Sequence, residues 1–126
     1  MCENLDLKKE TLLSARDYIK RVIPGIDSIC DKFREDNKDS AFQMCSDLKE
    51  GLEWLAEAFS LTKDVQEACN VIIGQDGMTL LITKMESALE TKDTTMMGGF
   101  LTDDLKPVIF SWEKKLDELV ENRLFA

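Results

Sequence analysis

The sequence predicts an all-α domain, a four-helix bundle of the up-and-down type, and three observations carry that reading. Apolar residues recur at three- and four-residue steps along nearly the whole chain, the period of one buried helix face rather than the alternation of a strand. The turn-forming clusters between those stretches are short: "EDNKDS" at 35–40, "SLTKD" at 60–64 and "ETKD" at 90–93. The 126 residues, 44% apolar and 33% charged, have the length and balance of a single domain, 1–126, with a real core.

The first helix is expected from about Asn4 or Leu5 to Arg34, because Leu5, Leu12, Ala15, Ile19, Val22, Ile26, Ile29 and Phe33 share one face. Pro24 lies inside that pattern, removes a backbone donor and crowds the preceding turn, so a kink is expected there, with Gly25 beside it making a full break conceivable. The second helix begins after "EDNKDS", capped by Asp39 or Ser40, and runs to about Phe59 or Ser60 on a face of Phe42, Cys45, Leu48, Leu52, Leu55 and Phe59, with Trp54 flanking it. Gly51 either weakens this helix or marks a close helix contact.

A third helical region covers about 64–91, capped by Asp64 or Thr62 and interrupted by "GQDG" at 74–77. The two glycines divide it into a short helix at 64–73 and a longer one at 76–91. Asp93 caps a last helix from about 94 to 123, whose face holds Met97, Leu101, Leu105, Val108, Ile109, Trp112, Leu116, Leu119 and Val120. Gly98-Gly99 weakens its start, and Pro107 is expected to bend its middle.

Net charge is −9, and the acids are unevenly spread. Residues 1–35 carry seven of each sign, whereas residues 36–62 carry six acids against Lys38 and Lys49. Such a surface repels a phosphate backbone, so no nucleic-acid partner is expected. No apolar run approaches the roughly 18–20 residues that cross a bilayer, and "MCENLDLKKE" does not have the pattern of a signal peptide. The expectation is a cytoplasmic chain with no membrane partner.

The chemistry-bearing patterns are few. There is no histidine, and Cys2, Cys30, Cys45 and Cys69 form no Cys-x-x-Cys pair, which removes the usual zinc sites and every histidine-activated nucleophile. The cysteines read as small buried hydrophobes. "DKFREDNKDSAF" from Asp31 has Asp36 and Phe42 where a calcium loop needs glycine and glutamate. "GQDG" and "MMGGFL" lack the ends of a phosphate loop. Glu50, Glu53 and Glu57 line one side of the second helix and read as a solvated face. No catalytic residue, cofactor or metal is therefore assigned, and the chain is read as not an enzyme.

What remains is a surplus of large apolar side chains. Trp54, Met96, Met97, Phe100, Phe110 and Phe125 exceed what one narrow stripe buries; broad apolar faces packed into the core are the first explanation, and the alternative makes these residues the candidate partner-binding surface.

The stretches "LEWLAEAFSL" and "ALETKD", followed by "DDLKPVIFSWEKKL", resemble a small all-helical family of unknown function from clostridia and related bacteria. In that family a helix after a short turn carries an acid, a leucine, a proline and then a tryptophan; here these are Asp104, Leu105, Pro107 and Trp112. The resemblance touches about half of the chain and implies a helical bundle in a bacterial, intracellular setting. It implies no catalytic residues.

The expectation is thus a non-enzymatic protein-binding or assembly module, accessory or chaperone-like, in a bacterial cell. Two rivals stand beside it: a self-associating domain that closes the apolar surface on a second copy, and a carboxylate-based metal- or ligand-binding protein.

Overall fold

The computed structural model describes the backbone of residues 2–74 and 77–124 and the side chains of residues 6–74 and 77–121. Every regular element among them is helical: α1 (Cys2–Arg34), α2 (Lys38–Leu61), α3 (Lys63–Ala68), α4 (Met78–Thr91), α5 (Thr94–Gly99) and α6 (Lys106–Asp117). Two π-helical segments, Phe100–Leu105 and Glu118–Leu124, adjoin α6, so the chain is helical without a break from 94 to 124. The fold class is all-α. The expected count of four takes the short helix at 64–73 and the longer one after it as one interrupted element; here α3 and α4 are separate helices.

α1 buries the predicted stripe of Leu12, Ala15, Ile19, Val22, Ile26 and Ile29. It passes through Pro24 unbroken, with the proline on the exposed side between buried Val22 and Ile26. An interior proline costs a helix about 3 kcal/mol. Burying one isoleucine side chain returns about 1.5–3 kcal/mol, and Ile19 and Ile26 are both fully buried. Packing therefore outweighs the local defect.

The turn into α2 differs from expectation in detail. Asp36 takes a left-handed conformation (φ 59°), and the N–H of Asn37 donates to the Lys32 carbonyl at 2.9 Å. α2 then begins at Lys38, with Asn37 at its cap rather than Asp39 or Ser40; Asp39 instead sits in the first turn, where a carboxylate complements the helix dipole. The buried stripe is the one predicted, from Phe42 to Phe59.

α3 ends five residues short of the expected 73, and Gln66 is the reason. This side chain is fully buried, and both ends of its amide are used. Its Nε2 donates to the Phe59 carbonyl at 2.9 Å and to Thr62 Oγ1 at 3.0 Å, and its Oε1 accepts from the N–H of Ile73 at 2.9 Å. The Gln66 carbonyl takes the N–H of Val71, and Asn70 turns left-handed between them (φ 60°). The helix is thereby closed, and Val71 and Ile73 drop into the core from a non-helical segment. Buried donors and acceptors must find partners, and one glutamine supplies three of them here.

In the last helical stretch, Asp93 caps α5 as predicted, its carboxylate accepting from the N–H of Met96 at 3.0 Å. Gly98 and Gly99 stay inside the helical run. The π segment sits immediately ahead of Pro107, with the N–H of Lys106 reaching back five residues to the Leu101 carbonyl. An ordinary turn would press the proline ring against the Asp103 carbonyl; the wider π turn gives it room.

α1 packs against α2 on one side and α6 on the other, while α4 packs against α2 and against α5 with the first π segment. Ring pairs Tyr18–Trp54 and Phe33–Phe42 show α1 and α2 running antiparallel. Ion pairs do the same for α1 and the last helical stretch: Arg16–Glu121 at 3.3 Å, Lys20–Asp117 at 3.3 Å and Asp27–Lys106 at 2.7 Å. Exposed pairs of this kind contribute about 0–1 kcal/mol each, so they set register while the apolar core supplies the stability.

Gly74 joins the α3 segment to the core under two constraints. Its φ is +68°, and a Cβ there would lie 2.5 Å from the Phe59 ring. Gly77 has φ +88° but open space around its Cβ position. Gly74→Ala is expected to destabilise the fold by about 1–3 kcal/mol more than Gly77→Ala, since only the former adds a packing clash to the backbone strain. Urea denaturation of the two variants checks it; equal losses would remove the Phe59 contact from the account.

Candidate functional site

The site is built on a missing side chain. Gly51 sits mid-α2, and a Cβ there would fall 1.5 Å from the Tyr18 phenol oxygen. The glycine marks a close helix contact: it lets the Tyr18 ring lie across the α1–α2 seam. There Tyr18 meets Trp54 edge to face, with ring centroids 6.0 Å apart and planes at 77°. The Arg21 guanidinium lies 5.9 Å from the Tyr18 ring centre. Burial pushes the Tyr18 phenol above its ordinary pKa; Arg21 works against that shift and Asp47 adds to it.

A recess opens on each side of this pair. One, of about 350 Å³, lies against Val22, Gly25, Ile29, Met44 and Leu48. Gly25 leaves open space where a side chain would stand. The other, of about 370 Å³, lies against Leu7, Thr11, Ser14, Trp54, Ala58 and Leu61. Because α1 and α2 are antiparallel, the two recesses are successive parts of one seam, with Tyr18 and Trp54 as the saddle between them. Leu7 is 63% exposed, Leu61 61% and Trp54 41%, so the apolar side chains that protrude furthest on these two helices stand at one end of this trough.

The predicted surface residues divide. Trp54 (in the trough), Met96 (45% exposed) and Phe110 (46% exposed) are open to solvent, but Met96 on α5 and Phe110 on α6 line neither recess. Met97 and Phe100 are buried and belong to the core, so a broad apolar face accounts for them and the candidate partner surface loses both. The stretch that carries them is packed against both α1 and α4, so it buries a broad arc rather than one stripe. Phe125 lies outside the described residues, as do the side chains of Cys2 and Leu5. Leu7 and Leu61 went unnoticed because they fall off the main stripes. The available signal was a second, weaker row on α1, Leu7, Thr11, Ser14, Tyr18, Val22 and Gly25, beside the main one.

Among the described residues, no group of three or more Cys, Asp or Glu side chains is placed to hold a metal ion. Glu53 pairs with Lys49 at 3.3 Å, which raises the lysine's pKa, while Glu50 and Glu57 face solvent. Lys8 holds the Asp64 carboxyl below its usual range through a 2.6 Å contact. Cys45 is fully buried, and burial pushes its thiol up to about 12; Cys30 shifts the same way less strongly. Such thiols are poor nucleophiles.

Fold and site together define an all-α domain with an open apolar seam between its first two helices. A family model described as a domain of unknown function, DUF8042, matches residues 10–115, and the chain belongs to that family. No curated protein and no solved structure matches it.

Two outcomes follow from this geometry. Gly51→Ala alone gains helix propensity but displaces Tyr18; in a Tyr18→Ala background only the gain remains. The double-mutant cycle should show a coupling of about 1–3 kcal/mol, read from denaturation midpoints, and additive effects would remove the close contact. For Cys45, the unfolded thiol ionises above its ordinary value near 8.5 while the folded one holds its proton to about 12. Stability should therefore fall as pH rises through that window, by up to about 1.4 kcal/mol per unit from this group. Cys45→Ala should flatten the fall relative to the native chain between pH 9 and 11, a range inside that window.

Proposed function

We propose that this domain is a non-enzymatic protein-binding or assembly module, accessory or chaperone-like, working in a bacterial cytoplasm and built as an up-and-down bundle. One observation supports this most: Leu7, Trp54 and Leu61 stand exposed together at one end of a seam whose other recess, against Val22, Ile29, Met44 and Leu48, has an apolar floor. Scattered exposed apolar residues are ordinary on a protein surface, but a contiguous set along a groove is what a partner helix uses. The seam offers anchoring aromatics at its saddle and the adaptable thioether of Met44 in its floor, both common at binding surfaces.

The test is capture from bacterial lysate by the purified domain, together with the light-scattering mass of the domain alone. One protein should be retained at stoichiometric yield, and Trp54→Ala or Leu61→Ser should release it while helical content is unchanged. Phe110→Ala, on another face, should leave capture intact. A stable dimer that retains nothing would move the reading to self-association.

A further inference from the structure

We infer that the α1–α2 trough takes a basic amphipathic helix rather than a second copy of this chain. The inference rests on the docking reading above and adds the chemistry of the occupant.

The argument is one of charge. Along the stretch of α1 and α2 that forms the trough, four of the bases pair with carboxylates outside it. Arg16 and Lys20 reach across to carboxylates of the last helical stretch, Lys49 bridges to Glu86 on α4, and Lys8 is held by Asp64. Arg21 stays in the trough, over the Tyr18 ring and beside the recess that Asp47 borders. The acids are left behind. Glu10 and Glu57 border the Leu7–Trp54–Leu61 recess, and Asp47 borders the other. By helical stepping, Asp17 follows Ser14 by three residues, and Glu50 precedes Trp54 by four, which places both along the same rim. Among the described residues, Glu10, Asp17, Glu50 and Glu57 form no ion pair.

An apolar floor edged by unneutralised carboxylates on both sides is complementary to an apolar stripe flanked by lysine or arginine. From Leu7 to Ile29 the α1 wall rises about 33 Å, the length of roughly six helical turns, so a partner helix of ordinary size lies within it. A second copy fits poorly. A two-fold interface sets the same patch against itself, and here it would oppose acidic rims in a region being desolvated.

The test uses the full chain and two labelled synthetic helices of equal length, one of leucine and lysine only and one of leucine and glutamate only, read by fluorescence anisotropy. The Leu/Lys helix should bind at least about tenfold more tightly, and added salt should weaken it. Glu50→Lys combined with Glu57→Lys should reverse the preference. The same charge change made off the trough, Glu90→Lys with Asp103→Lys, should leave the ranking in place, with circular dichroism confirming that both variants stay helical. Equal loss from both double variants would reduce the binding to bulk charge and overturn the inference. If the two helices bind equally and Trp54→Ala releases both, the inference falls while the docking reading stands. If neither binds although lysate capture depends on Trp54, the basic-helix occupant is likewise overturned. Concentration-dependent dimerisation abolished by Leu61→Ser would put a second copy in the trough instead.

Discussion

Everything in this fold leans on α1. It packs against both α2 and α6, and it buries an uninterrupted stripe from Leu12 to Ile29. That burial decides a local contest that propensity alone would lose, because Pro24 sits within the same segment. The proline keeps its place by facing outward, where the lost hydrogen bond and the crowded turn are set against isoleucines buried on the opposite side. The two prolines of the chain meet different solutions. Pro24 is carried by packing, and Pro107 by a π turn that widens the helix just before it.

α1 also divides its polar side chains between two neighbours. Its bases Arg16 and Lys20, with Asp27, pair with α6 and the segment after it, and this ladder fixes the antiparallel register there. Against α2 it uses no such ladder. Contact on that side is made by rings, Tyr18 on Trp54 and Phe33 on Phe42, and by the absence of a side chain at Gly51. Rings spaced along a seam prop two helices apart between their points of contact, and Gly25 leaves one of those spaces unfilled. The trough is therefore a consequence of how α1 and α2 meet, rather than a feature added to a finished bundle.

Much of this was legible in the sequence. The stripes of α1 and α2, the interruption near Gly74 and the cap at Asp93 all follow from rules that act within a few residues, whereas helix running on through Gly98-Gly99, where a weakened start was expected, does not. The early end of α3 was not legible, because it depends on where the Gln66 amide goes, and a buried glutamine reads in sequence as an ordinary polar surface residue. The π segment was hidden for a related reason: six residues are too few for their periodicity to separate it from an α-helix. Met97 and Phe100 stood as candidates both for the core and for a partner surface because a sequence shows one helix at a time. Flanked by both α1 and α4, that helix buries more of its circumference than a single stripe allows. Trp54 was found as a candidate, while its companions Leu7 and Leu61 were not, since only the antiparallel meeting of α1 and α2 brings residues 7 and 61 together.

The acidity of the chain then acquires two roles that point the same way. A net charge of −9 keeps copies of the molecule apart, which an open apolar seam requires if the protein is to remain dispersed. Spread evenly, that charge would do nothing more. It is instead arranged so that Arg16, Lys20, Lys49 and Lys8 pair with carboxylates on the last helical stretch, α4 and Asp64, while Glu10, Asp17, Glu50 and Glu57 are left along the trough with Arg21. On the proposed reading, the same placement that discourages self-association raises the affinity for a cationic helix, so both draw on one set of side chains. Neutralising the rim would thus loosen both at once: the domain would lose its discrimination between helices and, in the same step, the repulsion that keeps two troughs from closing on each other.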